Sequence, residues 1–397
     1  MSKLQELIKE LCPNGVEFRK LGEVCEIKRG VRVVKNDLIN DGKYPVFQNS
    51  LIPLGYYDKN NYPANITFVI SAGAAGEIGY TEEPIWAADD CLAIISPNNI
   101  INKFIYYCLI SNKLFFVSKV RRASVPRLSR TVVDNFEIPI PPLEVQNEIV
   151  RILDTFTLQV EELQAELQAR KEQYEYYRNK LLTFAKIGGG KQEVRWMKMS
   201  EIGDFYGGLS GKSKSDFENG NSKYATYMNV YKNLSLNIHT NDMVKIAKGE
   251  KQNTIQYGDV LFTGSSETPD ECGMSSVVTE DVSEPIYLNS FCFGFRPYDK
   301  SLFFPDFLKH LLRCKAMRAE ITKTANGVTR FNVSKKLMGK ILIPIPPYKE
   351  QKRLATILDK FEILVNNLSQ GLPAEIAAVQ EQYEYYRNKL LTFKRIS

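Results

Sequence analysis

Residues 172–184 read EQYEYYRNKLLTF, and residues 381–393 read the same, letter for letter. Chance does not produce such a match, so this chain of 397 residues is an internal duplication. An internal repeat constrains architecture more than any local propensity. The repeat extends upstream. Ile138-Pro139-Ile140-Pro141-Pro142 recurs as Ile343-Pro344-Ile345-Pro346-Pro347, and Gln146, Asp154 and Phe156 recur as Gln351, Asp359 and Phe361. A weaker echo opens each half, at residues 16–24 and 194–202. Between these landmarks the halves look almost unrelated. The period is far longer than a solenoid unit, so each copy is a domain followed by a helix. The offset grows from 205 residues at the proline motif to 209 at the tyrosine motif. The four extra residues fall in an interval containing Gln370-Gly371-Leu372-Pro373, where Gly and Pro both weaken a helix interior.

The constant segments carry a helical seam. Ile149, Leu153, Phe156, Val160, Leu163, Leu167, Tyr174, Tyr177, Leu181 and Phe184 follow heptad spacing, with Arg170 as one polar interruption. Such a run is about 36 residues, or roughly 54 Å. The second seam is Leu354, Leu358, Phe361, Val365, Leu368, Leu372, Ile376, Val379, Tyr383, Tyr386, Leu390 and Phe393. Its extra step of four, from Leu372 to Ile376, is a stutter. A long amphipathic helix cannot bury its stripe alone. The expectation is an antiparallel helix pair with a module at each end; a helix docked on its own domain is the plainer alternative. Tyrosines on these helices, Tyr174, Tyr176, Tyr177, Tyr383, Tyr385 and Tyr386, point to docking of another protein, because Tyr is enriched at interfaces.

Seven dispersed cysteines without CxxC spacing read as buried thiols, not disulfides or zinc ligands. The chain shows no long apolar run and no signal-peptide core, so a soluble, cytoplasmic protein is expected. The net charge of +6 is unevenly spread. Residues 1–142 hold 17 Lys and Arg against 15 Asp and Glu, residues 143–184 hold 5 against 8, and residues 185–347 hold 22 against 17. The positive excess therefore lies in the modules and not on the first rod, which suits modules that touch a polyanion.

Basic residues gather just upstream of each IPIPP motif. The first group is Lys113, Lys119, Arg121, Arg122, Arg127 and Arg130; the second is Arg313, Lys315, Arg318, Lys323, Arg330, Lys335, Lys336 and Lys340. Lys and Arg neutralise phosphates, and Arg also reads guanine. Lys28, Arg29 and Arg32 follow the first opening strand, and Lys212 and Lys214 lie in the Gly207–Lys214 stretch of the second. Gln48 and Asn49 are candidate base readers, since amides pair with adenine, although turn residues are the commoner case. Residues 65–70 and 259–263 read as core strands, residues 104–117 and 302–317 as helices, and Gly188-Gly189-Gly190-Lys191 as a linker.

A search for catalytic chemistry fails. Pro346-Pro347-Tyr348 resembles the end of an adenine-methyltransferase loop, but Ile345 stands where a polar acceptor is needed. Phe262-Thr263-Gly264-Ser265-Ser266 is one glycine short of a methyl-donor loop, and Gly73-Ala74-Ala75-Gly76 is a tight turn. Pro269-Asp270 has no Glu-x-Lys partner nearby. Two histidines, His239 and His310, are too few for a histidine-based metal site or triad. No GxxxxGK[ST] phosphate loop is present.

The segments IPIPPLEVQNEIVRILDTF, IPIPPYKEQKRLATILDKF and the doubled EQYEYYRNKLLTF resemble the conserved regions of the specificity subunit of type I restriction–modification systems. The tandem ELQAELQA at residues 162–169 and GLPAEI at residues 371–376 resemble features of that family as well. The resemblance implies an α+β protein with a pseudo-two-fold repeat. Two α/β target recognition domains, residues 1–142 and 187–347, would be held apart by two long antiparallel coiled-coil helices, residues 143–186 and 348–397. Each domain would read one half of a bipartite, asymmetric site in double-stranded DNA. The helices would set the spacer and dock two modification subunits, which bind S-adenosylmethionine and methylate adenine. Restriction subunits, using ATP and Mg, would complete the complex. This chain would bind no cofactor, carry no active site and meet no membrane. A coiled-coil adaptor without DNA, and a self-contained methyltransferase or nuclease, are the competing readings.

Overall fold

The computed structural model describes residues 3–184, 194–366 and 370–396. The Gly188–Lys191 linker and the seam residue Leu368 lie outside the described residues. The chain forms two compact units, residues 1–164 with 375–397 and residues 165–374. Each unit is built from a variable module, part of the central helix Leu143–Leu181, and one of the two C-terminal helices. No helix among the described residues is long and apolar enough to cross a membrane.

The first unit is organised by β1 (Glu26–Arg29), β2 (Ile66–Ile70), β3 (Ile78–Thr81) and β4 (Cys91–Ile95), in the order β1-β4-β2-β3 and antiparallel throughout. β2 is buried at every position, which explains its unbroken apolar run. Its one polar residue is satisfied: the backbone N–H of Thr67 donates to Asn102 Oδ1 at 2.6 Å, and its hydroxyl to the Asn102 carbonyl at 3.0 Å. A second, three-stranded sheet centres on Tyr44–Phe47, and a two-stranded one pairs Phe18–Lys20 with Glu137–Pro139.

The second unit repeats this plan. β5 (Gly203–Gly207), β6 (Val260–Thr263), β7 (Ser275–Val277) and β8 (Cys292–Pro297) are ordered β5-β8-β6-β7. Ser222–Ala225 centres a three-stranded sheet, and Arg195–Lys198 pairs with Leu342–Ile345. The segments that look unrelated in sequence therefore share one topology. The proline motifs supply the closing strand in both units, each pairing with the opening echo.

The matched glutamines explain the constancy of the next turn. Gln146 is fully buried; its Oε1 accepts the Ile101 N–H (2.9 Å), and its Nε2 donates to the carbonyls of Pro141 (2.7 Å) and Asn99 (3.2 Å). Gln351 does the same with the Phe304 N–H (2.8 Å) and the carbonyls of Pro346 (2.9 Å) and Leu302 (3.1 Å). One amide thus ties helix start, proline turn and module together in each unit.

The central helix is 39 residues long, about 58 Å. In the first unit its Ile149 and Leu153 share a core with Tyr383, Leu390 and Phe393, and the Phe156 ring lies 6.5 Å from that of Tyr383. In the second its Tyr174 and Leu181, with Phe184 just beyond its end, share a core with Leu354, Leu358, Phe361 and Val365. The expected single C-terminal helix is instead two, Tyr348–Asn366 and Leu372–Leu390. Gly371 sits at φ +77°, where a Cβ would lie 2.7 Å from the Leu364 carbonyl oxygen. Pro373 follows in the first turn of the new helix, where its missing N–H costs nothing. The extra residues are thus a helix stop and restart, not a stutter in a continuous rod. The helices expected over residues 104–117 and 302–317 are likewise each broken, into Asn102–Ser111 and Lys113–Ser118 and into Pro305–Leu311 and Lys315–Thr322. At the first break Asn112 turns its amide back onto the Cys108 carbonyl (2.9 Å).

All seven cysteines are buried free thiols. Burial pushes Cys25, Cys91 and Cys292 up to about 12, so these groups are unreactive at neutral pH.

Candidate nucleic-acid interface

The basic groups separate into those bound within the protein and those left to solvent. Arg313 and Arg318 belong to the first kind. Arg313 donates to the carbonyls of Ser275 (2.7 Å) and Tyr231 (2.8 Å), and Arg318 to those of Gly273 (2.6 Å), Asp270 (2.8 Å) and Cys272 (2.6 Å). Burial pushes the Arg313 guanidinium down to about 10. These two arginines hold loops together. Lys212, too, is held within the protein and not left to DNA. Its side chain is 8% exposed, and its ammonium pairs with Glu250 and the Lys245 carbonyl (2.7 Å). That pairing, with the Ala247 N–H, holds the Glu250 carboxylate down at about 2.

Several candidates are exposed but ion-paired: Lys28 with Glu26 (2.9 Å), Arg130 with Asp134 (3.3 Å) and Lys323 with Glu320 (2.7 Å). Such surface pairs are weak and yield readily to phosphate. Arg29 and Arg32 are exposed around the end of β1, and Lys214 is exposed in the short turn helix Lys214–Phe217. Lys119 lies over the Phe115 ring at 5.6 Å, and Lys335 over Phe293 at 5.4 Å, with Lys336 exposed beside it.

Arg121, Arg122 and Arg127 gather on one hairpin. Arg121 and Arg127 exchange backbone hydrogen bonds of 2.8 and 3.1 Å. The hairpin is tied down at Ser71, whose carbonyl accepts the Leu128 N–H (2.8 Å), and at Gly73, whose N–H donates to the Pro126 carbonyl (3.2 Å). Gly73 is at φ +82°, and a Cβ there would stand 2.8 Å from Asn49 Cβ. The glycine therefore lets Asn49 lie against the hairpin base. Asn49 is exposed, while Gln48 is half-buried and its carbonyl accepts from the Cys91 thiol (3.3 Å).

The second unit has a counterpart, Ala325–Asn326 paired with Phe331–Val333 and anchored on Ser265–Ser266. Gly327, at φ +150°, shapes its tip. Arg330 donates to Ser265 Oγ (3.0 Å) and lies over the Phe291 ring at 5.5 Å. Beside it is a cleft of about 590 Å³ lined by Tyr227, Tyr231, Glu271, Phe291 and Arg330.

The duplicated tyrosines take different roles. Tyr174 is 4% exposed, and its hydroxyl is 3.0 Å from His310 Nδ1, so it is a core residue and not a docking one. Tyr383 is half-buried in the first unit's core. Tyr177 stacks on Phe361 (5.7 Å, 24°) and Tyr386 on Phe156 (5.5 Å, 20°). Tyr176 and Tyr385 remain outward, each 58% exposed, with Lys180 and Lys389 over their rings at 5.4 Å.

His310, Asp359 and Glu362 are the one group of three ligand-type side chains among the described residues. Lys309, itself 8% exposed, already stands between Asp359 (2.9 Å) and Glu362 (3.2 Å). The ammonium occupies the place a cation would take. Burial alone would lower Lys309, but Glu362, Asp359 and Asp306 raise it above its ordinary value. The first unit uses Tyr107 in place of His310, hydrogen-bonded to Asp154 at 2.5 Å. These two Asp-centred contacts were not singled out from sequence. The only signal was the shared Ile-Leu-Asp of each helix.

The chain matches the family described as Type I restriction modification DNA specificity domain over residues 13–170 and 192–378. It is 30% identical to the Escherichia coli Type I restriction enzyme EcoR124I/EcoR124II specificity subunit, across 100% of this chain and 98% of that one. It is also 30% identical to a putative type I restriction enzyme specificity subunit from Haemophilus influenzae, across 95% and 96% of the two chains. The solved structure of the S subunit of a type I restriction–modification system from M. genitalium shares the fold. Its TM-score is 0.57 at 16% identity, covering 95% of this chain and 96% of that one.

Proposed function

We propose, from the premise that this chain belongs to the family of DNA specificity subunits of type I restriction–modification systems, that each unit reads one half of a bipartite DNA site. The chain is a specificity subunit, and catalysis resides elsewhere in such systems. The observation that carries the two-part reading is that one sheet framework occurs twice with different side chains on its exposed loops. A repeated scaffold with unlike surfaces recognises two unlike sequences. Arg29, Arg32, Arg121, Arg122, Arg127, Lys119 and Arg130 serve one half-site; Lys214, Lys323, Arg330, Lys335 and Lys336 serve the other. Their charge draws the protein to phosphate, and base edges supply selectivity.

The long helices hold the two readers at a set separation and dock two modification subunits. Tyr176 and Tyr385, identical in exposure and surroundings, are the symmetric pair of contacts for two copies of one partner. S-adenosylmethionine belongs to those partners, and ATP with Mg to the restriction subunits. Module exchange tests the reading. Replacing residues 14–140 by the corresponding module of another family member should change the methylated motif at one half-site only. Changes at both halves, or at neither, would contradict it.

A further inference from the structure

Strand pairing aligns residues 119–130 with residues 324–335 without a gap. Ile70 pairs with Cys91 in one unit and Thr263 with Cys292 in the other, which sets the frame. The Leu128 N–H then donates to the Ser71 carbonyl (2.8 Å), and the Val333 N–H to the Gly264 carbonyl (2.9 Å). Arg127 is bridged to Ala72 and Arg121, and Asn332 to Ser265 and Asn326. Ser129 caps Arg130–Asp134, and Ser334 caps Lys335–Met338. Two equivalent hairpins therefore carry different residues at the cross-strand pair nearest the tip, which is Arg121 with Arg127 in the first unit and Asn326 with Asn332 in the second.

We propose that these hairpins are the base-reading elements, and that Arg121 and Arg127 read guanine in one half-site while Asn326 and Asn332 read adenine in the other. This deepens the functional reading above and rests on it. A two-stranded ribbon fits the major groove, and opposite residues on it project from one face. A guanidinium matches guanine O6 and N7, and a carboxamide matches adenine N6 and N7. Among the described residues no side-chain bond occupies Arg121, Arg127 or Asn332; Asn326 donates to the Thr324 carbonyl (3.1 Å), and its Oδ1 carries no such bond. All four are exposed.

Conservation of charge between the units separates base contacts from phosphate contacts. Right after the capping serine both units place a cation, Arg130 and Lys335, which is what an invariant backbone demands. At the cross-strand pair the charge is exchanged for an amide. A phosphate contact would not survive that exchange, whereas a change of base calls for it.

The test is competition binding by the complex with its modification subunits, using DNA that carries the methylated motif and single-base variants of it. In Arg121→Asn/Arg127→Asn, preference for guanine in one half-site should fall about tenfold to a hundredfold. Preference at the other half-site should stay, which also reports that the chain is folded. In Asn326→Ala/Asn332→Ala the loss should fall on adenine in the second half-site. The single variants Arg121→Gln and Arg127→Gln should each show part of the loss. Uniformly weaker binding with every base preference intact would make these residues phosphate contacts and overturn the proposal. If the unaltered complex shows no bipartite preference, the functional reading itself fails, independently of the hairpins.

Discussion

Truncating Gln146 to Ala removes three hydrogen bonds from a site with no solvent access. Each is worth about 1 kcal/mol net, and leaving the N–H of half-buried Ile101 without an acceptor adds about 1 kcal/mol. The expected loss is about 4 kcal/mol, a large share of a domain's stability. Gln351→Ala should cost the second unit a similar amount, since its three partners lie at 2.8–3.1 Å. The chain holds two tryptophans, Trp86 in the first unit and Trp196 in the second, so each unit carries its own fluorescent reporter. Urea unfolding of Trp196→Phe chains reports the first unit, and of Trp86→Phe chains the second. Gln146→Ala should shift the Trp86 transition by the full amount. Gln146→Glu, which keeps an acceptor and loses the donors, should fall between. Transitions within about 1 kcal/mol of the parent for both alanine variants would refute the clamp.

Acid should loosen the second unit at Asp359. Burial pushes that carboxyl up, but His310 and Lys309 outweigh it and hold the group below its ordinary 3.8. A depressed folded-state value stabilises above 3.8 and is lost as pH falls through the folded value. Asp359→Asn should therefore destabilise the second unit at neutral pH, and its melting difference from the parent should shrink as pH falls below 3.8. A difference that does not shrink with falling pH counts against the network. Arg313→Ala should destabilise the second unit by about 3 kcal/mol, through three lost bonds to carbonyls, and leave the salt dependence of DNA binding unchanged. Arg130→Ala, which removes the cation that both units keep, should do the reverse, lowering the salt slope by about 1 while its exposed pair with Asp134 costs less than about 1 kcal/mol of stability.

Much of this fold was legible because duplication writes the same instruction twice. The proline motif and the seam stand out as repeated letters. The common topology of the modules did not, because sheet pairing depends on alternation and burial and tolerates almost complete change of side chains. The broken C-terminal helix was half visible. Gly371 and Pro373 were recognised as weak points, but only the positive φ and the close Leu364 carbonyl turn weakness into a stop. At the candidate site, counting charges does not separate solvent-facing cations from those bound within the protein. Arg313, Arg318 and Lys212 look like surface cations in a string of letters, and become internal braces once nearby carbonyls and Glu250 are in place. Tyr174 was misassigned for a related reason. A seam tyrosine and a docking tyrosine share a spacing, and only the facing His310 tells them apart.

The central claim is that helix length separates two independent readers. Deleting Glu162-Leu163-Gln164-Ala165 from the central helix and mapping methylated adenines in a host carrying the whole system tests it most directly. Four helical residues span about 6 Å, against about 3.4 Å per base pair. The gap between half-sites should shrink by one or two base pairs while both half-site sequences persist. An unaltered gap, or altered bases within either half, would contradict the account.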